Sequence, residues 1–199
     1  QNVAIGAYTL DANTTAGSNT AVGYNAMSAT STGEQNAAFG RASMQDNTTG
    51  QYNTAVGYNA LLTNTTASHN TALGRAALTL NTTGSYNVAV GSGALQANTT
   101  ASNNIAVGSQ ALEANTTGDS NAALGHQALK ANTTASNNTA IGYQALTANT
   151  TGTENAAGGG YALTTNTTGS YNTAFGYSSL GSNTASNNTG FGYRALGAN

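Results

Sequence analysis

The string Asn-Thr-Ala-Val-Gly-Tyr returns, with small changes, every seventeen residues along nearly the whole chain. Its opening Asn falls at Asn2, Asn19, Asn36, Asn53, Asn70, Asn87, Asn104, Asn121, Asn138, Asn155 and Asn172, and then one residue early at Asn188, so twelve copies make residues 1–199 one repeat domain. A unit this short cannot enclose a core of its own. Each copy must bury its apolar positions against its neighbours, and the fold must be a one-dimensional stack.

Positions within a coil are numbered from that Asn. Position 3 is Ala in every copy but the last, where Gly190 stands. Position 4 is aliphatic or aromatic (Ile5, Val22, Phe39, Val56, Leu73, Val90, Val107, Leu124, Ile141, Phe175, Phe191), with Gly158 the one lapse. Position 5 is Gly, position 8 is small and nearly always Ala, and position 9 is Leu or Met throughout. The second half runs Asn-Thr-Thr-Gly/Ala, as at Asn64 to Ala67. A helix would need apolar residues recurring at three and four, and its repeated Gly would each cost about 1 kcal/mol.

Short extended segments fit better. The pattern predicts a strand over positions 1 to 4, a Gly at 5 in a geometry closed to side chains, a second strand over 6 to 10, and a turn at Asn-Thr-Thr. The expected fold is all-β: a parallel β-solenoid, or β-roll, of twelve coils. Stacked in register at about 4.8 Å per coil, it would be a rod about 57 Å long. Asn columns at positions 1 and 12 would then hydrogen-bond along the rod, and Thr columns at 13 and 14 would form a rank of hydroxyls and methyls.

Positions 4 and 9 are the two large apolar positions of each coil, a small core for seventeen residues to be ordered around. One Ala column is therefore expected inside, and the other is a candidate contact face with a second or third chain. The alternative is a thin coil with both Ala columns inside. The first and last copies look like interior ones, which predicts either a longer array or ends that meet other subunits. The eleventh copy, with Asn183, Thr184, Ala185 and Ser186, is one residue short and predicts a local offset.

Composition narrows the function classes. Charged residues are 5% of the chain and the net charge is −2, so neither nucleic acid nor an anionic membrane is attracted. Strict phase at fixed aliphatic positions argues against a disordered, Gly-rich linker. No apolar run approaches the roughly 18 residues of a membrane-spanning helix, so membrane insertion by this segment is not expected, and no charged start followed by an apolar stretch marks a signal peptide. The absence of Cys removes disulfides and thiolate metal sites.

Candidate chemistry is sparse. Glu113 and Lys130 share position 10 of successive coils and predict a surface ion pair, but no two carboxylates share a column in adjacent coils, as a solenoid glycosidase would need. His69 and His126 stand in different columns, and no Gly-Gly-X-Gly-X-Asp calcium repeat occurs. The chain is read as non-enzymatic, with no cofactor and no metal. Tyr24, Arg41, Tyr58 and Arg75 alternate at position 6 of four successive coils, a candidate aromatic and cationic surface strip able to form cation–π contacts or to take a sugar, and Tyr52, His69 and Tyr86 repeat the arrangement at position 17. The bland reading is that these rings cover the rod or an interface. Asn-Thr-Thr is also an N-glycosylation sequon, at Asn13, Asn47, Asn64, Asn81, Asn98, Asn115, Asn132, Asn149 and Asn166, with a turn-and-ladder role as the competing explanation. Thr65, Thr82, Thr99, Thr116, Thr133 and Thr150 form the candidate column of an ice-binding face.

Asn53 to Tyr58, Asn138 to Tyr143 and, most closely, Gln1 to Gly6 resemble the Asn-Ser-Val-Ala-Ile-Gly motif of trimeric autotransporter adhesin heads, the YadA-like head, and related bacterial and phage surface-fibre repeats. The resemblance implies a left-handed parallel β-roll, a homotrimer, and a head that adheres to a host surface at the tip of a fibre. That family's unit is shorter and lacks the Asn-Thr-Thr turn, and its coiled-coil stalk and membrane anchor do not occur in this chain. The expected function is thus an extracellular structural or adhesive fibre segment, on a cell surface or virion fibre, acting as a rod-like spacer or as a binding surface for a glycan or host-surface ligand. The alternatives are an ice-binding protein and an end-to-end polymerising filament, possibly glycan-coated.

Overall fold

The recurrent Gly at position 5 sets the path of the chain. In the computed structural model, which describes residues 1–197, these glycines take φ between +117° and +139°, a region that only Gly occupies readily. A Cβ on Gly74 would lie 2.6 Å from the carbonyl oxygen of Gly91, one coil on. The glycines therefore stack backbone on backbone, and each ends a strand of three residues.

The strands are β1 (Val3–Ile5), β2 (Thr20–Val22), β3 (Ala37–Phe39), β4 (Thr54–Val56), β5 (Thr71–Leu73), β6 (Val88–Val90), β7 (Ile105–Val107), β8 (Ala122–Leu124), β9 (Thr139–Ile141), β10 (Ala156–Gly158), β11 (Thr173–Phe175) and β12 (Thr189–Phe191). They form one parallel sheet in sequence order, β1 through β12. Pairing is like on like: Ala55 lies against Ala72 and Val56 against Leu73. The molecule is a β-solenoid, as the seventeen-residue period predicts. Backbone bonds run both ways along the rod. Thr20 N donates to Asn36 O of the next coil at 2.9 Å, and Gly40 N donates to Val22 O of the previous coil at 2.8 Å.

Positions 6 to 10 depart from expectation. They form turns, with left-handed backbone at positions 7 and 9, as at Asn59 (φ 55°) and Leu61 (φ 53°). Side chains on a strand alternate between faces, yet Ala60 and Leu61, at positions 8 and 9, are both fully buried. Left-handed backbone on either side of Ala60 lets two consecutive residues face inward, which a strand does not allow.

The phase of the true strand also differs. Ala at position 3 points in and is 0% exposed at Ala55, Ala72 and Ala89, while position 4 points out, with Leu73 at 45% and Ile141 at 47%. The large apolar side chain at position 4 is thus not core. Ala at position 8 is also at 0%, from Ala60 to Ala162, so both Ala columns are interior and neither is a contact face. The thin-coil alternative holds, and the core is built of Ala at 3 and 8 with Leu or Met at 9.

The other side of the interior is polar and bonded along its length except at Thr30 and Asn166. At position 12, Asn64 Nδ2 donates to Asn47 Oδ1 at 2.8 Å and to Ala67 O at 3.0 Å, and the ladder continues through Asn81, Asn98, Asn115, Asn132, Asn149 and Asn166. At position 1, Asn36 Nδ2 crosses its own coil to Gly50 O at 2.8 Å, while its Oδ1 accepts from Asn53 N of the next coil at 2.9 Å. Buried amides bonded from coil to coil fix the register as firmly as the apolar residues do.

The short eleventh coil leaves the sheet in register, since Thr173 still pairs with Thr189 and Phe175 with Phe191. The missing residue is absorbed in the turn. There Asn183 Nδ2 bonds Ala185 O at 2.9 Å, and Asn166 Oδ1 is left buried without a partner.

Candidate functional site

Register turns every surface position into a column, so a candidate site on this rod is a stripe whose members share one geometry. The position-6 strip holds one continuous contact. The Arg41 guanidinium carbon lies 5.8 Å from the centre of the Tyr24 ring and 5.5 Å from that of Tyr58, with Arg41 Nη1 3.3 Å from the Tyr58 hydroxyl. Beside it is an open groove of about 240 Å3 bounded by Tyr24, Asn25, Arg41, Asp46, Tyr58 and Asn59 among others. Arg75, the fourth member, is exposed. The ring faces within the strip are turned along the rod toward the cation, which leaves ring edges, hydroxyls and the groove for any ligand.

The position-17 rings behave in the same way. His69 is stacked between Tyr52 and Tyr86, at 4.9 and 4.8 Å and nearly parallel. A longer aromatic run, not singled out in the sequence, joins His126, Tyr143, Tyr161, Tyr177 and Tyr193 at 5.3 to 5.7 Å. Four of these rings stand at position 6 and Tyr161 at position 7, so a strict column count passes over the fifth. Burial together with the neighbouring Tyr143 and Tyr177 raises the Tyr161 phenol above its usual range. A Gln ladder at position 7 was equally available from the spacing: Gln144 donates to Gln127 at 2.7 Å and Gln127 to Gln110 at 2.8 Å.

The Thr ranks divide by accessibility. Position 13, the candidate ice-binding column, is half-buried at Thr65, Thr82, Thr99, Thr116, Thr133 and Thr150, and each hydroxyl donates to the position-13 carbonyl of the next coil at 3.0 to 3.2 Å. Their hydroxyl protons are committed to the stack. Position 14 is the exposed rank, an unbroken series of ten from Thr15 to Thr168.

The sequon Asn side chains face the interior. Asn47, Asn64, Asn81, Asn98, Asn115, Asn132, Asn149 and Asn166 are 0% exposed, and Asn13 is half-buried with Nδ2 donating to Ala16 O at 3.2 Å. A glycan on any of the fully buried nitrogens would have to occupy the core, so the folded rod cannot carry a glycan coat on that ladder. The ladder role explains these residues.

Lys130 Nζ and Glu113 Oε2 are 3.4 Å apart, with about a third of each side chain exposed, an ion pair of roughly 0 to 1 kcal/mol. Among the described residues, no group of three or more His, Cys, Asp or Glu is placed to hold a metal ion, and no helix is long and apolar enough to cross a membrane. His69 and His126 lie on separate aromatic stacks. The chain matches no protein-family model, no curated protein and no solved structure.

Proposed function

We propose that this chain is a structural and adhesive segment of an extracellular fibre, on a cell surface or virion, serving as a rod-like, non-enzymatic spacer that works as a homo-oligomer. The supporting observation is the pair of buried Asn columns. They bond coil to coil and across each coil, so a sparsely charged rod is held together from its interior. A spacer needs length, register and inertness, and seventeen residues per coil supply length in equal steps. The adhesive part of the reading rests on the groove beside Arg41, where a guanidinium, Asp46, Asn25 and Asn59 offer hydrogen bonds to a glycan.

Immunogold electron microscopy of the intact producing cell or particle tests the location. Label along surface fibres is expected, and label confined to the cell interior would overturn the reading. A glycan array probed with the protein and with Arg41→Ala tests adhesion, with binding expected to be lost in the variant.

The exposed Thr rank at position 14 favours one second reading, ice binding, now assigned to the column of Thr66, Thr83 and Thr117 rather than to the half-buried rank beside it. Thermal hysteresis abolished by Thr117→Tyr would support it, and no hysteresis in the unaltered protein would dismiss it.

A further inference from the structure

The outward face of the sheet carries two side chains per strand, at positions 2 and 4, and none of them is charged. All ten charged residues of the chain lie on the turns, at positions 6, 7, 10, 11, 16 or 17. Down the face run Ile5, Leu73, Val107, Leu124, Ile141 and Phe191, each between 38% and 66% exposed. Where position 4 lapses at Gly158, the Phe175 ring of the next coil lies over the gap and keeps the apolar column continuous.

The size of this face is decisive. Eleven strand spacings of about 4.8 Å give a length near 53 Å, and two side-chain columns about 7 Å apart, with their flanks, give a width of about 13 Å. That is roughly 700 Å2 of uncharged surface, apolar along position 4 and with Thr at position 2 in six of the twelve coils, and it is close to the roughly 800 Å2 that each partner contributes to a stable interface.

We infer that this face is buried against the same face of another copy of this chain. A second copy fits where an unrelated partner would not. It presents the same spacing, so the ridges of one sheet meet grooves of equal period on the other, and it brings no charge into the contact. Two such sheets pack about 10 Å apart. The inference deepens the homo-oligomeric part of the fibre reading and rests on it for the rod shape alone. It places the lateral contact on positions 2 and 4, away from both Ala columns and from the ends of the rod.

The test is the solution mass of the protein by multi-angle light scattering across a wide concentration range, beside the double variant Val107→Lys/Ile141→Lys. Both side chains point outward, so the interior is untouched. The unaltered protein is expected at a multiple of 19.7 kDa. The double variant should dissociate to 19.7 kDa with an unchanged circular dichroism spectrum, its affinity weakened by more than about a hundredfold because lysines are buried without partners. Thr117→Lys, exposed at position 14 and outside the sheet, should leave the mass unchanged.

If the double variant fails to fold, Ile141→Cys substitutes for it. The chain has no other Cys, so mild oxidation should link copies through that residue, while Thr117→Cys should stay unlinked. A 19.7 kDa species at every concentration, association that survives the lysines, or linkage through Thr117→Cys would overturn the inference. Small-angle scattering separates the two levels: a monomeric rod removes the interface and leaves the spacer, whereas a particle that is no rod removes the spacer itself.

Discussion

The chain contains its own interruption of the Asn ladder, and this gives a quantitative test of what holds the coils together. Position 12 of the second coil is Thr30, fully buried, with its hydroxyl unpartnered. Asn47, one coil on, keeps its bond to Gly50 O at 3.1 Å. By contrast, Asn115 donates to Asn98 Oδ1 at 3.1 Å and to Gly118 O at 3.0 Å, and accepts from Asn132 at 2.9 Å. Asn115→Thr recreates the Thr30 arrangement in the middle of the rod and removes three bonds, each worth about 1 kcal/mol net, for a loss near 3 kcal/mol. Thr30→Asn should return about 2 to 3 kcal/mol, by adding the missing bonds and removing a stranded hydroxyl. In a stack the effect is local before it is global, so coil-resolved hydrogen exchange is the assay. In Asn115→Thr, protection of the Thr116 and Leu129 amides, which donate to Thr133 O and Ala145 O, should fall by about a hundredfold while that of Thr48 is unchanged. In Thr30→Asn, protection of Thr48 should rise. An Asn115→Thr variant with unaltered local exchange and a urea midpoint like that of the parent would refute the claim that buried amides hold the register.

Gly74→Ala combines a φ of +139° with a Cβ 2.6 Å from Gly91 O and should cost at least about 3 kcal/mol in urea unfolding. Leu112→Ala empties a fully buried position 9 and should cost about 2 to 5 kcal/mol by the same measurement. The raised Tyr161 phenol has its origin in burial first, then in Tyr143 and Tyr177. Because the folded value lies above the unfolded one, the associated stability is fully present below about pH 10 and is lost as pH rises through the folded value. Phenolate absorbance should show a late-titrating component, and Tyr161→Phe should remove it.

Much of the fold was legible because one period governs everything. A seventeen-residue repeat with Gly at 5 and Leu at 9 leaves little besides a stack of coils, and the parallel pairing and the Asn ladders follow from placing like on like. The turn at positions 6 to 10 is not legible, because positions 8 and 9 look like part of an apolar strand in letters alone. The left-handed backbone that turns both residues inward falls on ordinary residues such as Ala76, Gln127 and Leu61, none of which announces a positive φ. The site columns were legible as columns and illegible in direction. The Thr-Thr pair gives no sign of which hydroxyl the stack uses, and the sequon gives no sign that its Asn is interior.

The phase of the strand carries the deeper lesson. Three residues alternating across a sheet permit two assignments, Ala inside with its neighbours outside, or the reverse, and hydrophobicity favours burying the larger side chain. The interior decides otherwise, because β-strand Ala, turn Ala and Leu must share one thin section with two Asn columns, and no room is left for Val or Phe at position 4. The large side chains are displaced outward in every coil but the tenth, where Gly158 stands, and displacement repeated eleven times becomes an apolar column along the sheet. A single exposed Val needs no explanation, but the same choice at nearly every coil is a surface in need of a partner. Crowding in the core and exposure of the sheet are thus one constraint seen from its two sides, which is why enlarging position 3 and charging position 4 should fail differently: Ala106→Val should destabilise the rod itself, whereas Val107→Lys should leave the rod folded and separate the copies.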